Sequence, residues 1–416
     1  MTLSKSTRFL APAAALCAVL TLATGALTAQ AAPPPVGTIQ LVDVSTTPGV
    51  AEADGAWGQT ISGDGRYIVF ISASPDLPGA FPGHAELYLR DLLSGFTRQI
   101  GDTNWIPQQS APSISDDGSQ VAYTALNADV SPYPQAVLWT VDSDGTTLLS
   151  DSWENLGHGV NDSVESVDLA AAGGAVAYST WATDVIASDV TPERTLRVYK
   201  QDASGTDIEV AVDGTQWQTG PVISADGRFV AYLSQPTTAP RRWVTAQVNL
   251  RDTVLGTTQL ISHAYDGSQG ADHISMSADA RYIAFESSCN CYDGGPEVLG
   301  SSVFVHDRVT GKTTAEAVDL AGEFVSNAGW PSLSADGLTL AYATGGQIYL
   351  RDRVTYDVRL ISKNRVPDVG SGSSHQPVVS ADGHFVTWAT WATNLTGDTY
   401  PSRPVPPTHI LVANVG

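Results

Sequence analysis

The sequence predicts an all-β fold: a seven-bladed β-propeller of four-stranded antiparallel blades, the last blade completed by the N-terminal strand. Three observations predict it. A Ser-x-Asp-Gly turn recurs along the chain, each copy followed by a short apolar run. The first six units each hold four strand-like segments. The last unit holds three, and a matching fourth stands near the start of the chain. A repeat of this length is one supersecondary unit copied side by side.

The aligned turn positions are Ser62, Ser115, Ala170, Ser224, Ser277, Ser334 and Ser380, spaced 46 to 57 residues apart. Ala170 marks a worn copy, aligned because Val176-Ala177-Tyr178 matches Val121-Ala122-Tyr123. A unit begins with a short first strand, often opened by proline as at Pro112, Pro221, Pro331 and Pro377, where no ladder donor is required. The Asp-Gly turn follows, a strong short hairpin signal. A second strand such as Tyr67-Ile68-Val69-Phe70 is apolar on both faces, so it is sandwiched between layers. After a variable loop comes a third strand ending in Arg-Asp or His-Asp, as at Arg90-Asp91, Arg251-Asp252, His306-Asp307 and Arg351-Asp352. A fourth strand alternates, as in Thr258 to Ser262. Thr38 to Val44 resembles it, and pairing that segment with Ile410 to Asn414 closes the ring and removes the open edges.

This order sorts the loops. The tight turns lie on one face, and the loops between second and third strands and between blades lie on the other. Long loops on a rigid scaffold are where binding usually evolves.

The first 31 residues read as a secretion signal. Lys5 and Arg8 form the positive end, Phe9 to Leu27 the apolar stretch, and Ala29-Gln30-Ala31 the small-residue cleavage site. The propeller is then expected over residues 32–416 and the protein outside the cell. The chain carries a net charge of −22, which deepens by two when Lys5 and Arg8 leave. Such a surface disfavours nucleic acid, anionic lipid and uronic-acid polymers, and leaves calcium, cationic partners and neutral glycans open. Cys289 and Cys291 remain after cleavage, too few to staple a fold, and are expected to stiffen a loop.

The unit resembles the propeller repeat of TolB-type proteins, found in many exported bacterial proteins. The resemblance rests on the Ser-x-Asp-Gly turn, the Val/Ile-Ala-Tyr/Phe after it and the Arg-Asp or His-Asp ending the third strand. It covers essentially the whole processed chain and implies the fold, since propellers serve as scaffolds, lectins, lyases and hydrolases alike. Ala392-Thr393-Asn394-Leu395-Thr396-Gly397-Asp398-Thr399 is similar to a loop of a secreted actinobacterial branch and departs from it at Tyr400-Pro401. Trp181 to Val185 and Leu126 to Val130 are partial copies. Clustered Asp and Asn suit calcium; the competing reading is an Asx-turn that shapes the loop.

The loops between blades deliver Trp57, Glu165, Asp272, His273, Trp330 and His375 to the mouth of the central channel, with Trp105 and Trp217 slightly earlier. Exposed Trp rings stack on sugars or grip proline-rich peptides, and acidic and His side chains orient a ligand. The competing reading makes the tryptophans fillers between blades. No HExxH pair or G-x-S-x-G elbow occurs. The sequence therefore predicts a non-catalytic scaffold that binds a protein or neutral glycan on its long-loop face, through Trp57, Trp217, Asp272, His273, Trp330 and His375. The alternative is a polysaccharide lyase or glycoside hydrolase at the channel mouth.

Overall fold

The computed structural model describes residues 34–45, 55–81, 83–187, 194–210, 215–238, 246–262, 270–288, 300–363, 370–396 and 408–416. The segment expected to be a secretion signal, Cys289, Cys291 and the Asp398-Thr399 stretch lie outside them. Every regular element among the described residues is a strand.

Seven antiparallel sheets carry the predicted order, with the first strand of each unit innermost. The innermost strands are Ala56–Ile61, Ser113–Ile114, Val164–Leu169, Gln216–Ile223, Ala271–Met276, Gly329–Leu333 and Ser374–Val379. In blade 2 a separate piece, Ile106–Pro107, pairs with the same second strand as Ser113–Ile114. The seventh blade closes as predicted: Ile39 faces Ala413, Gln40 faces Val412 and Leu41 faces Leu411. An additional hairpin, Asp151–Ser152 with Asn155–Gly159, stands between blades 2 and 3.

The doubly apolar second strands are explained by the seams. Ile68 and Phe70 enter the cluster between blades 7 and 1, while Val69 and Ile71 enter the one between blades 1 and 2. Each of the seven seams holds one such buried cluster. Burying each large aliphatic or aromatic side chain there contributes about 1.5–3 kcal/mol, so the blades hold one another without disulfides.

The repeated turn is a hydrogen-bond device. In six blades the serine Oγ donates to the Asp two residues on. It also accepts from the backbone N–H five residues on, at 2.9 to 3.0 Å. The residue after each serine joins a circle of main-chain bonds about the axis. Gly63 N–H donates to Asp116 O, Asp116 to Ala171, Ala172 to Ala225, Ala225 to Ala278, Ala278 to Ala335, Ala335 to Ala381, and Asp382 back to Gly63. Seven backbones converge here, which is why the motif carries alanine. A Cβ on Gly63 would lie 2.5 Å from Asp116 Oδ1.

The Arg-Asp ends are also structural. Arg66, Arg228 and Arg281 pair with Asp91, Asp252 and Asp307 at 2.9, 2.6 and 3.0 Å. The hydrogen bond from the arginine holds the carboxyls of Asp252 and Asp307 down at about 2.

Candidate functional site: the channel mouth

The prolines sit differently from the sequence expectation. Pro221, Pro331 and Pro377 lie inside their strands, next to a bulge, and do not open them. The innermost strand has no partner on its channel side, so the missing N–H costs little. The bulges shape the mouth. Four residues before the aligned serine, five blades place a left-handed residue: Gly58 (φ 61°), Gly220 (φ 57°), His273 (φ 42°), Trp330 (φ 56°) and Gln376 (φ 52°). Glycine adopts this conformation freely, and other L-residues do so at a cost of about 1–2 kcal/mol. Blades 5, 6 and 7 therefore hold strained side chains where blades 1 and 4 manage with glycine.

Two of those three side chains meet. The His273 and Trp330 rings lie 3.6 Å apart between centroids, tilted by 39°. His273 Nδ1 is 3.0 Å from Glu286 Oε2. The Asp272 carboxylate accepts from the His273 backbone N–H at 2.9 Å. Burial pushes the Glu286 carboxyl up, but the bond and charge of His273, with help from Ser301 and the Trp330 backbone, hold it below its ordinary value. Trp330 remains 36% exposed. The sequence reading thus found Asp272, His273 and Trp330 and missed Glu286. A signal was available: Glu286 stands nine residues after its serine, where the other blades place Ile71, Thr124, Ser179, Leu233, Ala343 and Ala389.

Gly329 makes room for this cluster, since a Cβ there would overlap the Glu286 carboxylate. Gly329→Ala is expected to push that flexible carboxylate away from His273 and to cost about 1–2 kcal/mol. Thermal unfolding checks it, and an unchanged midpoint would show that the carboxylate yields freely.

The remaining expected residues are dispersed. His375 packs on Trp391, centroids 4.9 Å apart, and Trp391 is 43% exposed. Burial lowers the His375 pKa, and its buried Nδ1 has no hydrogen-bond partner among the described residues. Trp57 packs against the cluster between blades 1 and 2, and Trp105 is buried in that cluster as a filler. Trp217 meets Trp181 edge-on at 6.4 Å. Glu165 accepts from Trp181 Nε1 at 2.9 Å.

Two of the loop copies singled out for calcium shape loops. Asp184 accepts from the Asn161 N–H at 2.9 Å, and Asn394 accepts from the Ser371 N–H at 2.7 Å. Both anchor the loop entering their own blade. Thr180-Trp181-Ala182-Thr183 and Thr390-Trp391-Ala392-Thr393 are one structure used twice. In each, the first Thr hydroxyl donates to a serine carbonyl and accepts from the Ala N–H.

Below the mouth is a cavity of about 330 Å³ to which every blade contributes, including Gln59, Pro112, Asp168, Pro221, Ile274, Pro331 and Pro377. Two larger grooves, of about 690 and 550 Å³, lie elsewhere, between blades 2 and 3 and beside the closing strand. They gather none of the site residues expected from sequence. A belt of hydrogen bonds ties neighbouring blades around the channel. Leu169 N–H donates to Ser113 Oγ (3.1 Å), Ile223 to Asp168 Oδ2 (2.8 Å), Leu333 to Ser275 Oγ (2.9 Å) and Val379 to Ser332 Oγ (3.0 Å). Ser113 also donates to Asp168 Oδ1 at 2.7 Å. Burial pushes the Asp168 carboxyl up to about 6, against the pull of these bonds. It lies deep in the ring and keeps part of its surface on the channel.

The ring of turns, the seven seams and the paired termini decide the architecture. The fold is that of a seven-bladed β-propeller. No family model matches the chain, and no curated protein matches it in sequence. Among solved structures, an oligogalacturonate lyase in complex with manganese is 13% identical, over 88% of this propeller and 90% of its own chain, with a TM-score of 0.56. An oligogalacturonate lyase from Vibrio parahaemolyticus is 12% identical, over 92% of this chain and 99% of its own, with a TM-score of 0.55. TolB from Acinetobacter baumannii is 13% identical, over 75% of this chain and 64% of its own, with a TM-score of 0.42. At such identities the likeness is one of fold.

Proposed function

We propose that this is a secreted propeller of the actinobacterial type that captures a protein or neutral glycan on the face around the channel mouth. One observation carries the reading. Three successive blades hold His273, Trp330 and Gln376 in left-handed bulges that glycine fills elsewhere in the same ring. Backbone strain that the fold does not require is commonly held at functional sites. The tilted His273–Trp330 pair offers a ring face, and Asp272 and Glu286 offer acceptors, which suits hydroxyl groups on a sugar or the N–H groups of a peptide. Nucleic acid and anionic membrane are poor partners for so acidic a chain.

The test is capture of glycans on an array, with and without calcium, and of proteins from the culture fluid, by three forms of the protein. Trp330→Ala is expected to weaken capture by about 2 kcal/mol or more, as for a central aromatic contact. Trp330→Gly should lose capture equally, yet be more stable than Trp330→Ala by about 1 kcal/mol, because glycine relieves the bulge. Undiminished capture by both variants would remove the mouth from the site.

A second reading is a carbohydrate-active enzyme, a lyase or hydrolase. The His273–Glu286 contact favours it, because a carboxylate on Nδ1 orients the imidazole and leaves Nε2 as the proton-transfer atom. Two neighbours in fold are oligogalacturonate lyases, one of them in complex with manganese. Among the described residues no three His, Cys, Asp or Glu side chains gather in a metal-binding group, so no step is assigned to a metal. Activity on a polysaccharide panel, abolished in a folded His273→Ala variant, would promote this reading over capture.

A further inference from the structure

We propose that the cavity below the mouth takes the protonated amine of a small ligand. His273, Trp330 and Gln376 of the mouth line it too, so the inference rests on the reading of the mouth as a capture site, and Asp168, which that reading does not use, separates the two.

Two independent observations point there. Asp168 lines the cavity, and no Lys or Arg is among the lining residues. Its carboxylate accepts from Ser113 on one oxygen and from Ile223 on the other, and the Leu169 N–H also draws on it, all neutral donors. A carboxylate has about four acceptor positions, so at least one remains for a ligand. The walls around it are largely apolar, with Pro112, Val167, Pro221, Val222, Ile274 and Pro331, so its charge is weakly screened and favours a cation. The other observation is Gln59. It also lines the cavity and is 3% exposed. Its Nε2 donates to Gln376 O at 2.5 Å, while Oε1 is buried with no donor among the described residues. Four other blades place proline at this position, at Pro112, Pro221, Pro331 and Pro377. A buried acceptor without a donor calls for a ligand or ordered water, and an ammonium brings three donors and the positive charge that Asp168 lacks. A cavity of about 330 Å³ admits an amine on a short stem, at the small end of ligand pockets.

Among the described lining residues, Asp168 and His273 are the ones with ionisable side chains. The Asp168 neighbours on the adjoining innermost strands, Ser113 and the Ile223 N–H, are neutral, and no charged side chain is among the influences on its pKa. A carboxyl near 6 is about nine-tenths protonated at pH 5. The site should then strengthen as pH rises.

The experiment titrates the intact protein with n-butylammonium, n-butanol and butyrate, which share a stem and differ in charge, using ligand-detected NMR. Butylammonium is expected to bind with a dissociation constant of about 1–10 mM, as befits so few atoms. Binding should weaken about tenfold from pH 7.5 to pH 5, with butanol weaker throughout and butyrate unbound. Asp168→Asn should abolish both the preference for the amine and the pH dependence attributable to Asp168. Butyrate or butanol binding as well as the amine would overturn the proposal. So would absence of butylammonium binding at about 50 mM, or affinity for it unchanged in a folded Asp168→Asn variant. The charge series on the unaltered protein decides the matter even where that variant does not fold.

Discussion

Asp43→Ala is expected to lower stability at neutral pH by about 2–6 kcal/mol, since two buried donors lose their acceptor at about 1–3 kcal/mol each. Asp43 follows the N-terminal strand, and His409 opens the third strand of the same blade. Both are fully buried. Asp43 Oδ2 lies 3.0 Å from His409 Nδ1, and Oδ1 accepts from the Ile410 N–H at 2.9 Å. Burial pushes the Asp43 carboxyl up, and His409 and the Ile410 N–H pull it back without fully offsetting that. Alanine would leave the imidazole and the backbone donor in a dry seam. The contact joins residues 366 apart in sequence, so its loss also loosens the three-residue strand that closes the ring. Asp43→Asn keeps one acceptor and should cost about half as much. Denaturant unfolding followed by Trp fluorescence measures both. A loss below about 1 kcal/mol for alanine would mean that the latch lies elsewhere.

The second large effect is a pH-dependent change in stability at Asp168. Its carboxyl sits at about 6 in the folded ring against an ordinary 3.8. A folded-state value above the unfolded one means that the contribution is complete below about pH 4 and is lost as pH rises through 6. The difference corresponds to about 3 kcal/mol. Asp252 and Asp307 act with the opposite sign, since values of about 2 make their contribution present above pH 4 and lost below it. Comparing Asp168→Asn with the unaltered protein at each pH cancels those terms. The variant should be less stable at pH 4, where it loses about 1 kcal/mol of hydrogen bonding. At pH 7.5 it should equal or exceed the unaltered protein. A constant difference across that range would show that Asp168 does not titrate as described. Stability gained together with loss of amine binding would be the usual trade at a strained or charged site.

The candidate site was only partly legible. Three mouth residues could be placed because they stand at a fixed offset from the repeated turn, and Asp272, His273 and Trp330 do adjoin one another. Trp57 stands at the same offset, and Trp105 ten residues before its serine, and yet both pack into a seam. Their direction is set by the local strand geometry, which residue type does not report. Asp184 and Asn394 suit a cation in sequence and in the structure accept loop N–H groups, since carboxylates and amides serve backbone N–H groups as readily as ions.

What the sequence by itself determined was the architecture: the number of blades, the order of strands, the pairing of the termini and the sorting of loops between faces. Those properties follow from short-range chemistry repeated seven times, a serine hydroxyl and an aspartate closing one turn and apolar side chains alternating to both sides of one strand. What only the tertiary structure decided was which side chains share a site. Glu286 joins His273 and Trp330, Asp168 faces the channel, and Gln59 reaches Gln376 across a seam. These groups come from different blades or from opposite ends of a loop-free register, and only radial closure, with its bulged inner strands, brings them within hydrogen-bond reach.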